Sequence, residues 1–187
     1  MITDEALTQA IQQASQAADG IVRIDVLGVQ DASKVNVQLP AGVFDENRDA
    51  GIQRIEVNTG ITKLSVAADA LNGKLDSETA TIEFSVEEAD KAALPEEIQQ
   101  KVGNRKVYDF NAFADGRQIS QFNGRNPVQI TLDYTLEEGE DPHKIVVYYI
   151  DDLGELKAVT NTKYDAESKT VTFSTTHFSK YVLMHAE

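Results

Sequence analysis

The segment DENRDAGIQRIE puts Asp45, Asn47, Asp49 and Glu56 at positions 1, 3, 5 and 12 of an EF-hand-like loop. Carboxylate and amide oxygens at that spacing can wrap around Ca²⁺. The position that needs glycine for the sharp turn is Ala50, and the flanks alternate like strands rather than pairing as helices. The same residues therefore also read as an exposed acidic loop. Calcium is the only cofactor the sequence raises.

Other chemistry is sparse. The chain has 3 histidines, His143, His177 and His185, and no cysteine. Their spacing matches no H-E-x-x-H type of metal site, and thiolate catalysis, thiolate metal sites and disulfides are all excluded. There is no glycine-rich phosphate loop and no G-x-S-x-G elbow. Carboxylates are plentiful, but most fall in turns or on alternate strand positions, and none stands out as a glycosidase acid pair. The expectation is a protein that is not an enzyme. Asp151-Asp152-Leu153-Gly154 resembles a ligand loop, yet its place between IVVYYI and ELKAV predicts a hairpin turn with Gly154 in the left-handed region.

Charge and composition narrow the partners. A formal net charge of −14 argues against nucleic acid and anionic membranes. No apolar run approaches the ~18 residues of a membrane span. Tryptophan is absent, so an aromatic carbohydrate platform is not expected. No signal peptide is visible, since Met1 leads straight into a helix signal. An exported parent would therefore carry this chain as an interior segment.

The elements that must position these residues follow from periodicity. Thr3 as N-cap, Asp4 and Glu5 in the first turn, and the stripe Leu7, Ala10, Ile11, Ala14 and Ala17 predict a helix over residues 1–19, stopped by Asp19-Gly20. From Ile21 the period is two. Strands are predicted around 21–26, 35–39, 53–59, 61–66, 79–86, 106–112, 128–134, 144–150, 155–159, 170–174 and 180–184, with turn chemistry between them. LPEEIQQKV, Leu94 to Val102, reads as one or two helical turns. Short alternating strands without long intervening helices predict a mainly β protein, an antiparallel β-sandwich with a short N-terminal helix. Gly103 marks a candidate seam between a first lobe, 20–103, and a second, 104–187, or the two form one continuous domain. One face of each strand should pack through Val107, Tyr108, Phe110, Val128, Ile130, Leu132, Val147, Tyr149, Val171, Phe173, Phe178 and Tyr181.

The C-terminal run DPHKIVVYYIDDLGELKAVTNTKYDAESKTVTFSTTHFSKYVL resembles a recurrent module of Gram-positive surface proteins, commonly found beside S-layer homology domains. The shared pattern joins the Asp141-Pro142 turn, the Val147-Tyr148-Tyr149 strand, the turn ending at Gly154, Tyr164-Asp165-Ala166, and Thr176-His177-Phe178-Ser179-Lys180-Tyr181. The resemblance covers roughly half the chain. It implies an extracellular, cell-envelope protein with a structural, assembly or adhesion role, whose partners are other envelope proteins or cell-wall polymer. The same half is similar, more distantly, to the β-sandwich domain of netrin receptors, ankyrins and a death-domain adaptor, some of which cut themselves at His-Phe-Ser. That likeness implies a different use for His177, Phe178 and Ser179. Ser179 Oγ would attack the Phe178 carbonyl, water would hydrolyse the resulting ester, His177 would serve as base or orient the scissile peptide, and backbone strain would help reach the reactive geometry. The alternative is that Phe178 anchors the strand entry, His177 bonds a carbonyl and Ser179 closes the turn. A glycan- or protein-binding role is the third reading.

Overall fold

The computed structural model describes residues 9, 12–13, 18–26, 33–45 and 51–186. Most of the helix expected over 1–19 lies outside these residues. Among the described residues the eleven period-two segments, joined by the short stretches Arg117–Gln118 and Lys163–Asp165, form thirteen strands: β1 (Ile21–Asp25), β2 (Lys34–Pro40), β3 (Arg54–Asn58), β4 (Thr62–Ala67), β5 (Thr81–Glu88), β6 (Val107–Ala114), β7 (Arg117–Gln118), β8 (Val128–Asp133), β9 (Ile145–Ile150), β10 (Leu156–Ala158), β11 (Lys163–Asp165), β12 (Thr170–Thr175) and β13 (Lys180–His185). Two short helices join them, α1 (Gly42–Asp45) and α2 (Glu96–Val102). The protein is mainly β, a sandwich of two sheets with few helices.

A six-stranded sheet runs β1-β3-β4-β8-β12-β11 and a seven-stranded sheet runs β10-β9-β13-β6-β5-β2, with β7 beside β6. All pairs are antiparallel except β1 and β3. That exception follows from the path of the chain: β2 crosses to the other sheet, so β3 returns beside β1 in the same direction. Both sheets mix strands from before and after Gly103: β4 pairs with β8, and β5 pairs with β6. The sheets therefore do not divide at the expected seam.

The core lies between the sheets. Of the twelve residues expected to pack, ten are buried, and Tyr108 and Tyr149 are partly buried. The expectation of a single buried face fails for the second sheet. Val107, Ile150 and Val182 point away from the main core and join Leu94, Ile98 and Val102 in a second cluster. The segment between β5 and β6 folds as α2 over the outer face of β6, β13 and β9, and buries both faces there. Glu96 and Glu97 at the start of α2 and Lys101 at its end match the helix dipole.

Asp115 shows how this cysteine-free chain secures its loops. Asp115 and Gly116 both take positive φ, 44° and 79°, as a two-residue β6–β7 hairpin requires. The Asp115 carboxylate then accepts the Ala80 and Thr81 amides and the Thr81 hydroxyl, each at 2.9 Å, tying the hairpin to the start of β5. These bonds hold its carboxyl below the usual carboxylate range, with the Ala80 amide the largest cause. Asp151 and Asp165 are lowered in the same direction by turn amides and a serine hydroxyl.

Because both sheets share strands from each half, urea unfolding followed by near- and far-ultraviolet circular dichroism should give one coincident transition. Phe84→Ala, which removes a ring 1% exposed, should lower stability by about 3–5 kcal/mol; separate transitions for the two halves would contradict the shared sheets. Groups with depressed carboxyl values stabilise the fold above the unfolded value and lose that contribution as pH falls through and below it. Melting temperature should therefore drop from about pH 4 downward, and Asp115→Asn should flatten that drop.

Candidate functional site

The Thr176-to-Ser179 segment carries the chain from β12 in one sheet to β13 in the other. Its backbone is held on both sides. Phe122 N–H donates to Thr176 O at 2.7 Å, Phe178 N–H to Ser120 O at 3.1 Å, and Phe110 N–H to Ser179 O at 3.1 Å. Gln121 and His177 form an isolated antiparallel bridge.

Phe178 is 8% exposed and sits among three rings, with centroids 4.7 Å from Phe122, 5.8 Å from Phe110 and 6.3 Å from Phe84. Edge-on and tilted pairs of this kind add to the burial of each ring. Tyr181, fully buried, stands 4.9 Å from Phe173 across the sandwich. Its hydroxyl donates to the His177 carbonyl at 2.6 Å and lies 2.8 Å from Thr175 Oγ1. The Thr175 hydroxyl is also 2.8 Å from that carbonyl and accepts the His177 amide at 3.3 Å. A tyrosine hydroxyl bonded to backbone four residues upstream, where a strand changes sheet, has the logic of the tyrosine corner of β-sandwiches. Burial pushes the Tyr181 hydroxyl well above the ordinary tyrosine range, so it remains a donor.

The expected catalytic pair is adjacent in sequence but differently engaged. Ser179 Oγ donates to the Ile150 carbonyl at 2.8 Å. The His177 ring packs edge-on against Tyr149 at 4.8 Å and 79°. Burial lowers its basicity, partly opposed by Asp152, so the imidazole is neutral at neutral pH. That is the protonation state a base needs, but Ser179 directs its proton to a backbone carbonyl, a poor base. Among the described residues the left-handed non-glycine positions are Asp115, Asn126 and Lys169, none of them in the 177–179 segment. An open cleft of about 570 Å³ adjoins Ser179. Its polar groups pair with one another: Gln118 donates to Asn111 at 3.0 Å, Asn111 to Asp109 at 3.2 Å, and Lys180 meets Asp109 at 2.8 Å.

Two of the four calcium candidates lie among the described residues. Asn47 and Asp49 lie outside them, Asp45 ends α1, and Glu56 lies within β3, 3.6 Å from Lys63 and 3.9 Å from Arg23. Among the described residues no three His, Asp or Glu side chains converge as metal ligands. The Asp151–Gly154 stretch is a turn, as expected: Asp151 accepts the Leu153 and Glu155 amides at 3.0 and 2.8 Å, and Gly154 has φ 76°. Sequence reasoning missed Tyr149 as the partner of the His177 ring, because that contact depends on β9 lying beside β13; it also missed Thr175, a local partner two residues before His177.

No family model matches the chain. It is similar to an amylopullulanase of Thermoanaerobacterium thermosulfurigenes, 26% identical over 167 residues. The match takes in 87% of this chain but 8% of that protein, so the chain spans a small fraction of its relative's length.

Proposed function

We propose that the chain is a non-catalytic structural or adhesion module of an exported bacterial cell-surface protein, working outside the cell at the envelope. One observation carries the reading: the one motif with catalytic potential is engaged in packing and anchoring the crossing between the two sheets. Phe178 fills a ring cluster, Ser179 ties to β9 through Ile150, and the His177 carbonyl receives the corner hydroxyls. The Asp carboxylates of the turns are likewise engaged in capping backbone amides. Among the described residues no buried side-chain nitrogen or oxygen lacks a partner, so no buried polar group among them is held unpaired for chemistry.

The similarity to amylopullulanase supports an accessory role. Most of this chain corresponds to a small segment of a far longer protein, and that protein's name describes an enzyme of polysaccharides. A compact sandwich within such a chain suits spacing or adhesion, and the partners would be cell-wall polymer or other envelope proteins. The resemblance of the THFSKY region to modules found beside S-layer homology domains agrees with this placement.

Self-cleavage at Phe178–Ser179 is the competing reading, and it rests on His177-Phe178-Ser179 standing just before a terminal strand. Intact-mass measurement separates the two. After prolonged incubation the purified chain should remain one species near 20.5 kDa. Two fragments divided at Phe178–Ser179, lost in Ser179→Ala, would overturn the non-catalytic reading.

A further inference from the structure

Helix α2 covers only part of the outer face of the second sheet. Between it and strands β9, β10 and β13 an open cleft of about 690 Å³ remains, a volume typical of small-ligand sites. Its floor is apolar: Ile98, Leu156 and Met184 line it with the partly buried Tyr148. Its rim is polar and carries both signs, Glu97 and Glu155 against Lys101 and Arg105.

Arg105 is the informative residue. Its side chain is 34% exposed, and its nearest carboxylate, Glu140, stands 3.9 Å away. Glu140 is already committed, accepting the Tyr134 hydroxyl at 2.8 and 3.0 Å and the Glu137 amide at 3.0 Å. The guanidinium thus lines the cleft with its donors free of hydrogen bonds among the described residues. The Tyr148 hydroxyl, in the same cleft, is likewise without a hydrogen bond there. Lys101 and Glu97 neutralise one another at 2.6 Å, and Glu155 pairs with Lys157 on the hairpin at 2.5 Å, which leaves Arg105 as the rim charge without a hydrogen-bonded partner among the described residues.

We propose that this cleft binds a neutral oligosaccharide. Sugar rings present an apolar C–H face that suits Tyr148, Leu156 and Met184. Sugar hydroxyls both donate and accept, and the rim supplies carboxylate acceptors beside guanidinium and ammonium donors. The balanced rim, on a chain of net charge −14, disfavours polyanions such as nucleic acid or uronic-acid polymers. A purely apolar partner would leave the rim charges desolvated. With one aromatic ring in the floor, recognition comes chiefly from hydrogen bonds. This deepens the adhesive form of the function proposed above, and rests on that reading only for the natural source of the glycan.

The test is an amide-resolved NMR titration of the full 187-residue chain with maltoheptaose, cellohexaose, chitohexaose and mannohexaose, and with oligogalacturonate as the anionic contrast. Saturable shifts confined to α2 and the residues after it up to Arg105, the β9–β10 hairpin and the end of β13 are expected with at least one neutral probe. Arg105→Ala and Glu155→Gln should each weaken that binding about tenfold, with the melting temperature unchanged. Should Arg105→Ala lower the melting temperature, Glu155→Gln decides, since Glu155 is exposed and its ion pair with Lys157 lies at the surface. No saturable shift with any neutral probe, shifts centred on another cleft, unchanged affinity in the deciding variants, or tighter binding of oligogalacturonate would each overturn the site. Failure here leaves the intact-mass result untouched, and fragmentation at Phe178–Ser179 would leave this binding result untouched.

Discussion

The Tyr181 hydroxyl on the His177 carbonyl is the bond around which the sandwich closes. A chain without disulfides must still pass its last strand from one sheet to the other and fix the angle at which it arrives. Here the crossing takes four residues, Thr176 to Ser179, and each side of it is held. Thr175 and Tyr181 converge on one carbonyl, Tyr181 reaches Phe173 in the opposite sheet, and Phe178 fills the space beneath β5 and β6. In the dry interior a hydrogen bond left unmade would cost more than the bond contributes net. The corner thus favours a single geometry.

That constraint explains why the motif with catalytic precedent is engaged as it is. An acyl shift needs the serine oxygen free to approach the preceding carbonyl and a base in reach of its proton. The Ser179 proton goes to Ile150 instead, and the His177 ring lies against Tyr149. Holding the corner and activating the serine make opposite demands on the same three residues.

Much of this was legible in the sequence. Period-two alternation located the long strands, and turn residues such as Asp151-Asp152-Leu153-Gly154 behaved as their side-chain chemistry requires. Alternation, however, says only that a strand has two faces. It does not say that both are covered. Val107 and Val182 read as strand residues of the ordinary kind, and their burial outside the sandwich becomes visible only once α2 is laid over them. The two-residue β7 and the three-residue β11 are too short for a period to register. Asp115 is a plain turn signal in sequence, but its bonds to Ala80 and Thr81 span 35 and 34 residues. The parallel pairing of β1 and β3 likewise depends on where β2 goes.

The same limit governs the cleft beside α2. Its walls come from the helix after Pro95, the β9–β10 hairpin and the end of β13, which no local pattern links. What links them is packing. A seven-residue helix is too short to stand alone, so α2 exists by burying Ile98 and Val102 on the sheet. A helix of that length covers β6, β13 and β9 but stops short of β10, leaving Leu156, Met184 and Tyr148 only partly covered. The apolar floor is therefore a by-product of how the second sheet is closed, and the charged residues of the helix and hairpin necessarily form its rim. In this fold the sandwich core and its corner are occupied with stability. The layer added outside them is where a ligand can be met without disturbing either.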